Sequence, residues 1–151
     1  MSPELLFQVV NVVPLPFWAL MIFAPAWSGT RRLMQSHLGP ALFAVLYAVM
    51  VLPALPSILP ILARPDFEMI RTELTKPMGF VVAWIHFLTF DLFVGRWIYL
   101  DAREQGVSVW LSGPCLFVTL MFGPLGYLCY LAARQTVRRR SRLMVHPNSH
   151  C

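Results

Sequence analysis

Charged residues are scarce in this sequence, and their scarcity excludes an ordinary soluble domain. They make up 13% of the 151 residues, whereas a soluble domain carries about 25%. Hydrophobic residues reach 58%, which leaves little of the chain for a surface that faces water. The composition therefore predicts an integral membrane protein.

Cysteines are too few for a disulfide framework. Of the three in the chain, Cys115 and Cys129 lie in one apolar window, about 21 Å apart along a helix, which is too far for a disulfide. The chain also lacks a G-x-S-x-G elbow, a Walker loop, an H-E-x-x-H motif and the paired His-rich boxes of di-iron enzymes. We therefore expect no metal and no cofactor, and chemistry that uses acid, base and shape.

Four apolar windows dominate what is present, at 5–27, 38–63, 78–100 and 109–133. Each is long enough, at about 1.5 Å per residue, to cross a hydrocarbon core of about 30 Å. Lipid offers no partners to backbone groups, so the windows should be helices. The predicted fold class is all-α, an integral membrane bundle of four transmembrane helices with proline kinks. Residues 1–133 would form a single domain, and 134–151 a basic, disordered cytoplasmic tail.

Prolines predict where these helices are irregular. Two interrupt the middle of the first window and three crowd the end of the second, at positions 14, 16, 53, 56 and 60. Each removes a backbone donor and bends or breaks its helix. In the loop that follows, FEMIRTEL at 67–74 is typical of an amphipathic turn or two on the membrane surface.

Basic residues beside the windows predict the orientation. With four crossings, eight lie on the side of the N-terminus: Arg64, Arg71, Lys76, Arg134, Arg138, Arg139, Arg140 and Arg142. The other side has three: Arg31, Arg32 and Arg103. The positive-inside rule then places both termini in the cytoplasm. The basic tail suits anionic membrane lipids, and we expect no nucleic-acid partner.

The N-terminus has neither the basic n-region of a secretory signal nor an Arg- and Ser-rich transit segment. We therefore expect an uncleaved first helix and a bacterial inner or thylakoid-type membrane.

The third window carries an ionisable residue at every fifth position: His86, Asp91, Arg96 and Asp101. A step of five residues turns a helix by a net angle of about 140°, so these side chains do not form one stripe. Asp91 points away from Arg96, and this spacing does not favour a salt bridge between them. The other three share a broad sector. Neighbouring helices should therefore meet the third helix on more than one side.

Asp91 falls near the membrane midplane, where a charged side chain costs about 2.5–3.5 kcal/mol. It must be protonated, paired with a cation or exposed to water. Gly95, four residues later on the same face, clears space beside the carboxylate. Intramembrane ionisable residues usually mark a site, although a structural ion pair is the alternative for Asp91 and Arg96. His86 could serve only as a hydrogen-bonding partner, and Asp101 at the boundary suits a cap.

Other windows contribute weaker candidates. Asn11 could hydrogen-bond across the bundle or to a carbonyl freed by a proline. Gly123 and Pro124, in FGPLG, predict a kink and the close approach of a helix or a flat ligand. Trp84 belongs to a set of aromatic residues that could line a polyene slot, or could face lipid or the core.

The sequences HFLTFDLFVGRWIYLDAR at 86–103 and LFVTLMFGPLG at 116–126 carry a family resemblance. Their pattern, H-x4-D-L-x3-R-x4-D with a later F-x-P-x-G, resembles the small integral membrane proteins related to plant neoxanthin synthase, of the abscisic-acid-deficient-four type. The resemblance is strongest over 78–133 and extends across all four windows.

The resemblance implies a cofactor-independent isomerase that opens a carotenoid 5,6-epoxide to an allene, as in the conversion of violaxanthin to neoxanthin. Such a reaction needs an acid at the epoxide oxygen and a base at a carbon-bound proton. We assign these roles to Asp91 and His86, with Arg96 stabilising the developing oxyanion. Substrate contacts are expected from six further residues: Gly95, Asn11, Gly123, Pro124, Trp84 and Asp101.

Two other functions stay open from the sequence: a non-enzymatic accessory protein that binds carotenoid or lipid, and a small transporter. For all three functions we expect a hydrophobic small molecule such as a carotenoid as the ligand, and membrane lipids around the protein. A homo-oligomer is also open, since four helices are few for a transporter.

Overall fold

The computed structural model describes residues 2–145, and this part of the chain is entirely helical, without a strand. An all-α fold is therefore confirmed for these residues. In chain order the elements are α1 (Pro3–Val12), α2 (Leu15–Phe23), α3 (Ser28–Gln35), α4 (Leu38–Val51), a 3-10 turn (Leu52–Ala54), α5 (Leu55–Ala63), α6 (Phe67–Thr75), α7 (Pro77–Glu104), α8 (Val109–Phe122) and α9 (Pro124–Val145).

Three stretches of the described residues are long and apolar enough to cross a membrane. They are Pro3–Phe23, Leu38–Ala63 and Pro77–Glu104, of 21, 26 and 28 residues. Only 6% of the most apolar segment of Leu38–Ala63 is buried within the protein. Such a continuous exposed apolar surface requires a covering, which lipid provides.

The prolines act where the sequence predicts, but locally. The first window divides between Val12 and Leu15, around Pro14. In the second window the irregular backbone is confined to the single 3-10 turn Leu52–Ala54, and Pro60 lies inside α5. The expected amphipathic turn is confirmed as α6, whose N-terminus is capped by Asp66 accepting a hydrogen bond from the Met69 amide at 3.0 Å.

The fourth window is a helical hairpin. α8 has 14 residues, about 21 Å of helix, which is shorter than a hydrocarbon core. At Gly123 the backbone has φ +30°, and Pro124 cannot donate a hydrogen bond to continue α8. The two helices approach closely beyond this turn, because a β-carbon added at Gly126 would overlap Thr119.

α9 then returns along the C-terminal part of α7. Tyr127 packs against Trp97 with 5.5 Å between ring centroids, and farther along α9 Arg138 donates to Gln105 at 3.0 Å. The basic end of α9 therefore lies beside the C-terminal end of α7. The window turns back at Gly123, so a fourth transmembrane helix is not confirmed.

Residues 134–145 continue α9 as helix, where the sequence led us to expect the start of a disordered tail. The remainder of that expected tail, 146–151, lies outside the described residues. Cys115 and Cys129 are free thiols in the part of the chain that the structure describes.

The described residues group into two compact units. The first contains residues 2–15 and 37–90, and the second contains 16–36 and 91–145. α7 contributes its N-terminal half to the first unit and its C-terminal half to the second.

Candidate functional site

In the second unit, the Asp91 carboxylate lies against Gly123 at the tip of the α8–α9 hairpin. A β-carbon added at Gly123 would overlap Asp91 Oδ1, so this contact requires glycine. Gly123 also immediately precedes α9, whose N-terminal end carries a partial positive charge that favours a carboxylate. Within residues 2–145 the half-buried Asp91 side chain has neither an ion pair nor a hydrogen bond. The close approach that glycine permits at this position is made by the carboxylate of Asp91 on α7.

The space at Gly95 is occupied by an indole ring. A β-carbon added at Gly95 would overlap the six-membered ring of Trp18, and that tryptophan is 2% exposed. The glycine therefore lets α2 approach α7 closely. The space expected beside Asp91 is filled by Trp18.

Arg96 is directed to the C-terminal end of α3. Its Nε donates to the Ser36 carbonyl and its Nη2 to the Gln35 carbonyl, both at 3.2 Å. Carbonyls at a helix C-terminus lack partners within the helix, and a cation there also complements the helix dipole. These hydrogen bonds hold α3 against α7. Among the described residues, Arg96 forms no ion pair with Asp91.

Asp101 lies in a buried cluster with two residues of α9. Its Oδ2 accepts a hydrogen bond from the Tyr130 hydroxyl, and its Oδ1 pairs with Arg134 Nη2 at 2.7 Å. The Arg134 guanidinium also lies 5.9 Å from the centroid of Trp97. Arg134 Nε is buried and has no hydrogen-bond partner among the described residues. Asp101 therefore ties α9 to α7, in place of the predicted boundary cap.

In the first unit, Asn11 and Trp84 meet directly. The indole Nε1 of Trp84 donates to Asn11 Oδ1 at 3.0 Å, and Asn11 Nδ2 donates to the Phe7 carbonyl at 2.7 Å. Asn11 therefore bonds to another helix, as one of its two expectations has it; its second bond goes to the Phe7 carbonyl and not to a carbonyl freed by Pro14 or Pro16. The Phe7 ring packs on Trp84 with centroids 5.7 Å apart.

His86 forms part of an aromatic wall in the same unit. Its ring lies 5.4 Å from that of Tyr47 and 4.8 Å from that of Phe90, measured between centroids. Neither the His86 ring nitrogens nor the Tyr47 hydroxyl has a hydrogen-bond partner within residues 2–145. Both groups can therefore bind an additional polar atom.

A cavity of about 310 Å³ lies beside this wall, between α4–α5, α6 and the N-terminal half of α7. Its lining is mostly aliphatic, as at Ile61, Leu74 and Ala83. Its polar groups are His86, Tyr47 and Glu73. This volume is at the lower end of the range of small-molecule sites, and a mostly apolar lining with a few polar groups is typical of them.

Sequence reasoning missed the partners of several candidates. Tyr130 and Arg134 are four residues apart on α9 and so share a helix face, a spacing that could have marked them as partners of an acidic residue. Arg134 was counted only as a charge that sets the orientation. Tyr47 and Glu73 carry no local signal, because only the packing of α4 and α6 brings them to one cavity.

Comparison with known proteins relates most of the chain to one family. The family model described as ABA DEFICIENT 4-like matches residues 5–130. The protein ABA DEFICIENT 4, chloroplastic, of Arabidopsis thaliana is 26% identical over 140 residues, which cover 89% of this chain. The matched region spans 62% of that relative's length. No solved structure matches the chain.

Proposed function

The chain belongs to the ABA DEFICIENT 4-like family, and from this premise we propose that it modifies a carotenoid within a membrane. The reaction that we propose is the isomerisation of a 5,6-epoxide to an allene, as in violaxanthin to neoxanthin. The three apolar stretches and their exposed surfaces support a substrate that enters from lipid. We propose a bacterial inner or thylakoid-type membrane as its location.

The proposed reaction transfers protons without a net change of redox state. An acid protonates the epoxide oxygen, and the bond from that oxygen to the ring carbon beside the polyene breaks. A base then removes the proton from the neighbouring vinylic carbon, and the electron pair left behind forms the allene. The oxygen stays on the ring as a hydroxyl group. One proton enters and one leaves, so the product is an isomer of the substrate.

The observation that carries this proposal is the Asp91 carboxyl group at the hairpin tip. It has no cation partner within the described residues, and a charged group without a partner at membrane depth is costly. A protonated Asp91 can donate to the epoxide oxygen. The carboxylate that remains is favoured by the N-terminal end of α9, which begins next to Gly123. We therefore propose Asp91 as the acid.

We propose His86 as the base, since its ring nitrogens have no hydrogen-bond partner within residues 2–145. For Arg96, the hydrogen bonds to the Gln35 and Ser36 carbonyls support a role in holding α3 against α7. The oxyanion role expected of Arg96 stays a prediction, as do the substrate contacts of Gly95, Asn11, Gly123, Pro124, Trp84 and Asp101.

The test is to incubate the purified chain with violaxanthin and to analyse the pigments by chromatography. We expect neoxanthin from the unmodified chain and a loss of about 10²–10⁴-fold in rate for Asp91→Asn, which removes the proposed acid. Glu104→Gln is the matched control, because this exposed acid lies at the end of the same helix. Full activity of Asp91→Asn would show that another group is the acid. Pigment binding without conversion by the unmodified chain would favour the accessory function.

We also propose a topology with three crossings and one hairpin. The N-terminal part of α1 contacts the N-terminal half of α7, as Phe7 does Phe80. The basic end of α9 contacts the opposite end of α7, at Gln105. The N-terminus and the basic segment of α9 would then lie on different sides of the membrane. The positive-inside rule would place the basic segment of α9 in the cytoplasm and the N-terminus outside.

A further inference from the structure

We propose that the cavity of the first unit binds the oxygen-bearing end ring of an isoprenoid, with Tyr47 contacting the oxygen and His86 lying beside the ring. This inference rests on the proposed function and deepens it, because it names a binding site and the part of the substrate that the site holds. The cavity contains none of the second unit's residues, so the test of binding is separate from the test of Asp91.

The lining defines the chemical class of the ligand. Aliphatic side chains such as Ile61 and Leu74 form most of the wall, which favours a saturated ring with methyl groups over a charged or strongly polar molecule. The volume of about 310 Å³ accommodates one such ring and part of a chain. A long polyene therefore has to extend out of the cavity.

Two polar groups in this wall require a partner. The Tyr47 hydroxyl and the His86 ring have no hydrogen-bond partner within residues 2–145. Tyr47 is partly exposed and His86 is exposed, at the edge of a mostly aliphatic wall whose outer face we place in lipid. Polar groups in an apolar environment lose free energy unless they form a hydrogen bond. An epoxide or hydroxyl oxygen on the ligand ring can accept a hydrogen bond from the Tyr47 hydroxyl. Glu73 is already paired with Lys76 and forms the polar edge of the cavity.

The position of the cavity suits an amphipathic ligand. α6 is an amphipathic helix of the type that lies in the membrane interface, and Leu74 projects from it into the cavity. Two other lining residues, Leu62 and Phe87, are 62% and 59% exposed. They form an apolar rim that leads to lipid. A ring with an oxygen atom therefore lies near the interface, while its polyene extends into the hydrocarbon.

The experiment is a titration of the full chain in nanodiscs with violaxanthin and, separately, with β-carotene, which has no oxygen. Binding is followed by the shift of the pigment's visible absorption band. Ala83→Phe fills the cavity, and we expect it to weaken violaxanthin binding about tenfold or more. Ala132→Phe is the matched control on the exposed face of α9, and it should bind as the unmodified chain does. Equal binding by the two variants overturns the proposal.

Tyr47→Phe removes one hydroxyl without changing the shape of the wall. We expect violaxanthin binding to fall about three- to tenfold and β-carotene binding to stay unchanged, since only one hydrogen bond is lost. Tyr127→Phe, on α9, is the control for the same chemical change. A Tyr47→Phe variant that retains the full preference for violaxanthin overturns the assignment of Tyr47.

A labelling measurement covers the case in which Ala83→Phe fails to fold. Ala83→Cys is made in a chain whose own cysteines are replaced by serine, and its reaction with a maleimide is timed. We expect violaxanthin to slow that reaction at least about tenfold, as a bound ring excludes the reagent. No slowing at saturating pigment overturns the proposal.

The two proposals fail in different ways. If Asp91→Asn retains violaxanthin binding but loses conversion, and Ala83→Phe weakens binding, both stand. If violaxanthin binds at Ala83 but the unmodified chain never converts it, the proposed reaction is wrong and the binding site stands. If conversion depends on Asp91 while Ala83→Phe binds normally, the cavity is not the binding site.

Discussion

At the scale of single residues, Gly123 meets two separate constraints. Its φ of +30° is a conformation that side chains other than glycine rarely adopt. Its missing β-carbon also leaves the space in which Asp91 Oδ1 lies. An alanine at this position would have to distort the hairpin turn and displace the carboxylate.

We predict that Gly123→Ala lowers the free energy of unfolding by about 2 kcal/mol, measured by denaturation in detergent. Gly113→Ala is the control within α8, because a β-carbon at Gly113 meets no atom within 4 Å. That change should be neutral or stabilise the chain by up to about 1 kcal/mol. In an Asp91→Ala background the cost at Gly123 should fall, because one of the two constraints is gone. An equal effect of the two glycine substitutions would contradict the hairpin geometry.

The ion pair of Asp101 and Arg134 is protected from water, unlike that of Glu68 and Arg71. Both pairs have an N–O distance of 2.7 Å, but the side chains are 10% and 22% exposed in the first and 63% each in the second. Removing one partner from a buried pair leaves a charge without compensation, whereas exposed pairs contribute little.

We predict that Asp101→Asn costs about 3 kcal/mol of unfolding free energy, and that Glu68→Gln costs less than about 1 kcal/mol. Tyr130→Phe should lie between them, since it removes one hydrogen bond to a charged group. The measurement is the denaturation midpoint of each variant in the same detergent. Similar costs at Asp101 and Glu68 would show that Asp101 is accessible to water.

At the scale of elements, a polar contact joins α1 to α7. Trp84 Nε1 donates to Asn11 Oδ1, and the aromatic rings of Phe7 and Phe80 lie around this bond. Hydrogen bonds between membrane helices contribute modestly, since alternative partners exist in the unfolded state.

We predict that Trp84→Phe lowers stability by about 1 kcal/mol, because it removes the donor and retains an aromatic ring. Trp110→Phe is the matched control, since that side chain is 91% exposed and should have no measurable effect. Asn11→Leu combined with Trp84→Phe should cost less than the two single changes added together, because they share one bond. If the costs of the two single changes simply add, the hydrogen bond between Asn11 and Trp84 does not contribute to stability.

The elements differ in how far they could be predicted from sequence. α6 follows from local information alone, the spacing of its apolar residues and the capping residue Asp66. The turn at Gly123 was also signalled, by a Gly-Pro pair, but its consequence was not. A kinked crossing and a hairpin share the same local sequence, and the contacts of Tyr130 and Arg134 decide between them.

The candidate site divides in the same way. Asp91 is a candidate on the sequence alone because a charge at membrane depth is costly, and the Gly-Pro pair marks Gly123 as a second candidate. Their contact with each other was not predictable, because it joins positions that are distant in sequence. The contact of Trp18 with Gly95 was also not predictable, because a glycine indicates only that some group approaches closely and not which one.

At the scale of the whole molecule, the distribution of basic residues depends on the number of crossings. Three crossings and a hairpin place Arg103 and the basic segment 134–142 at the same end of α7. Loop 64–76, with three basic residues, lies at the other end of α7, next to Pro77. Under the proposed topology the charge bias is retained, and the N-terminus would lie on the side of the membrane opposite to the one that four crossings predict.

We predict that single cysteines placed in loop 64–66 and at Arg139 lie on opposite sides of the membrane. The native cysteines are first replaced by serine, and each variant is labelled in sealed vesicles with an impermeant maleimide, before and after permeabilisation. Gln105→Cys should label from the same side as Arg139→Cys, because Gln105 contacts Arg138. Cysteines at Pro65 and Arg139 that label from the same side would require a fourth crossing, since an even number of crossings returns the chain to its starting side. That result would be incompatible with α9 returning along α7, so this one measurement decides between a hairpin and a transmembrane helix.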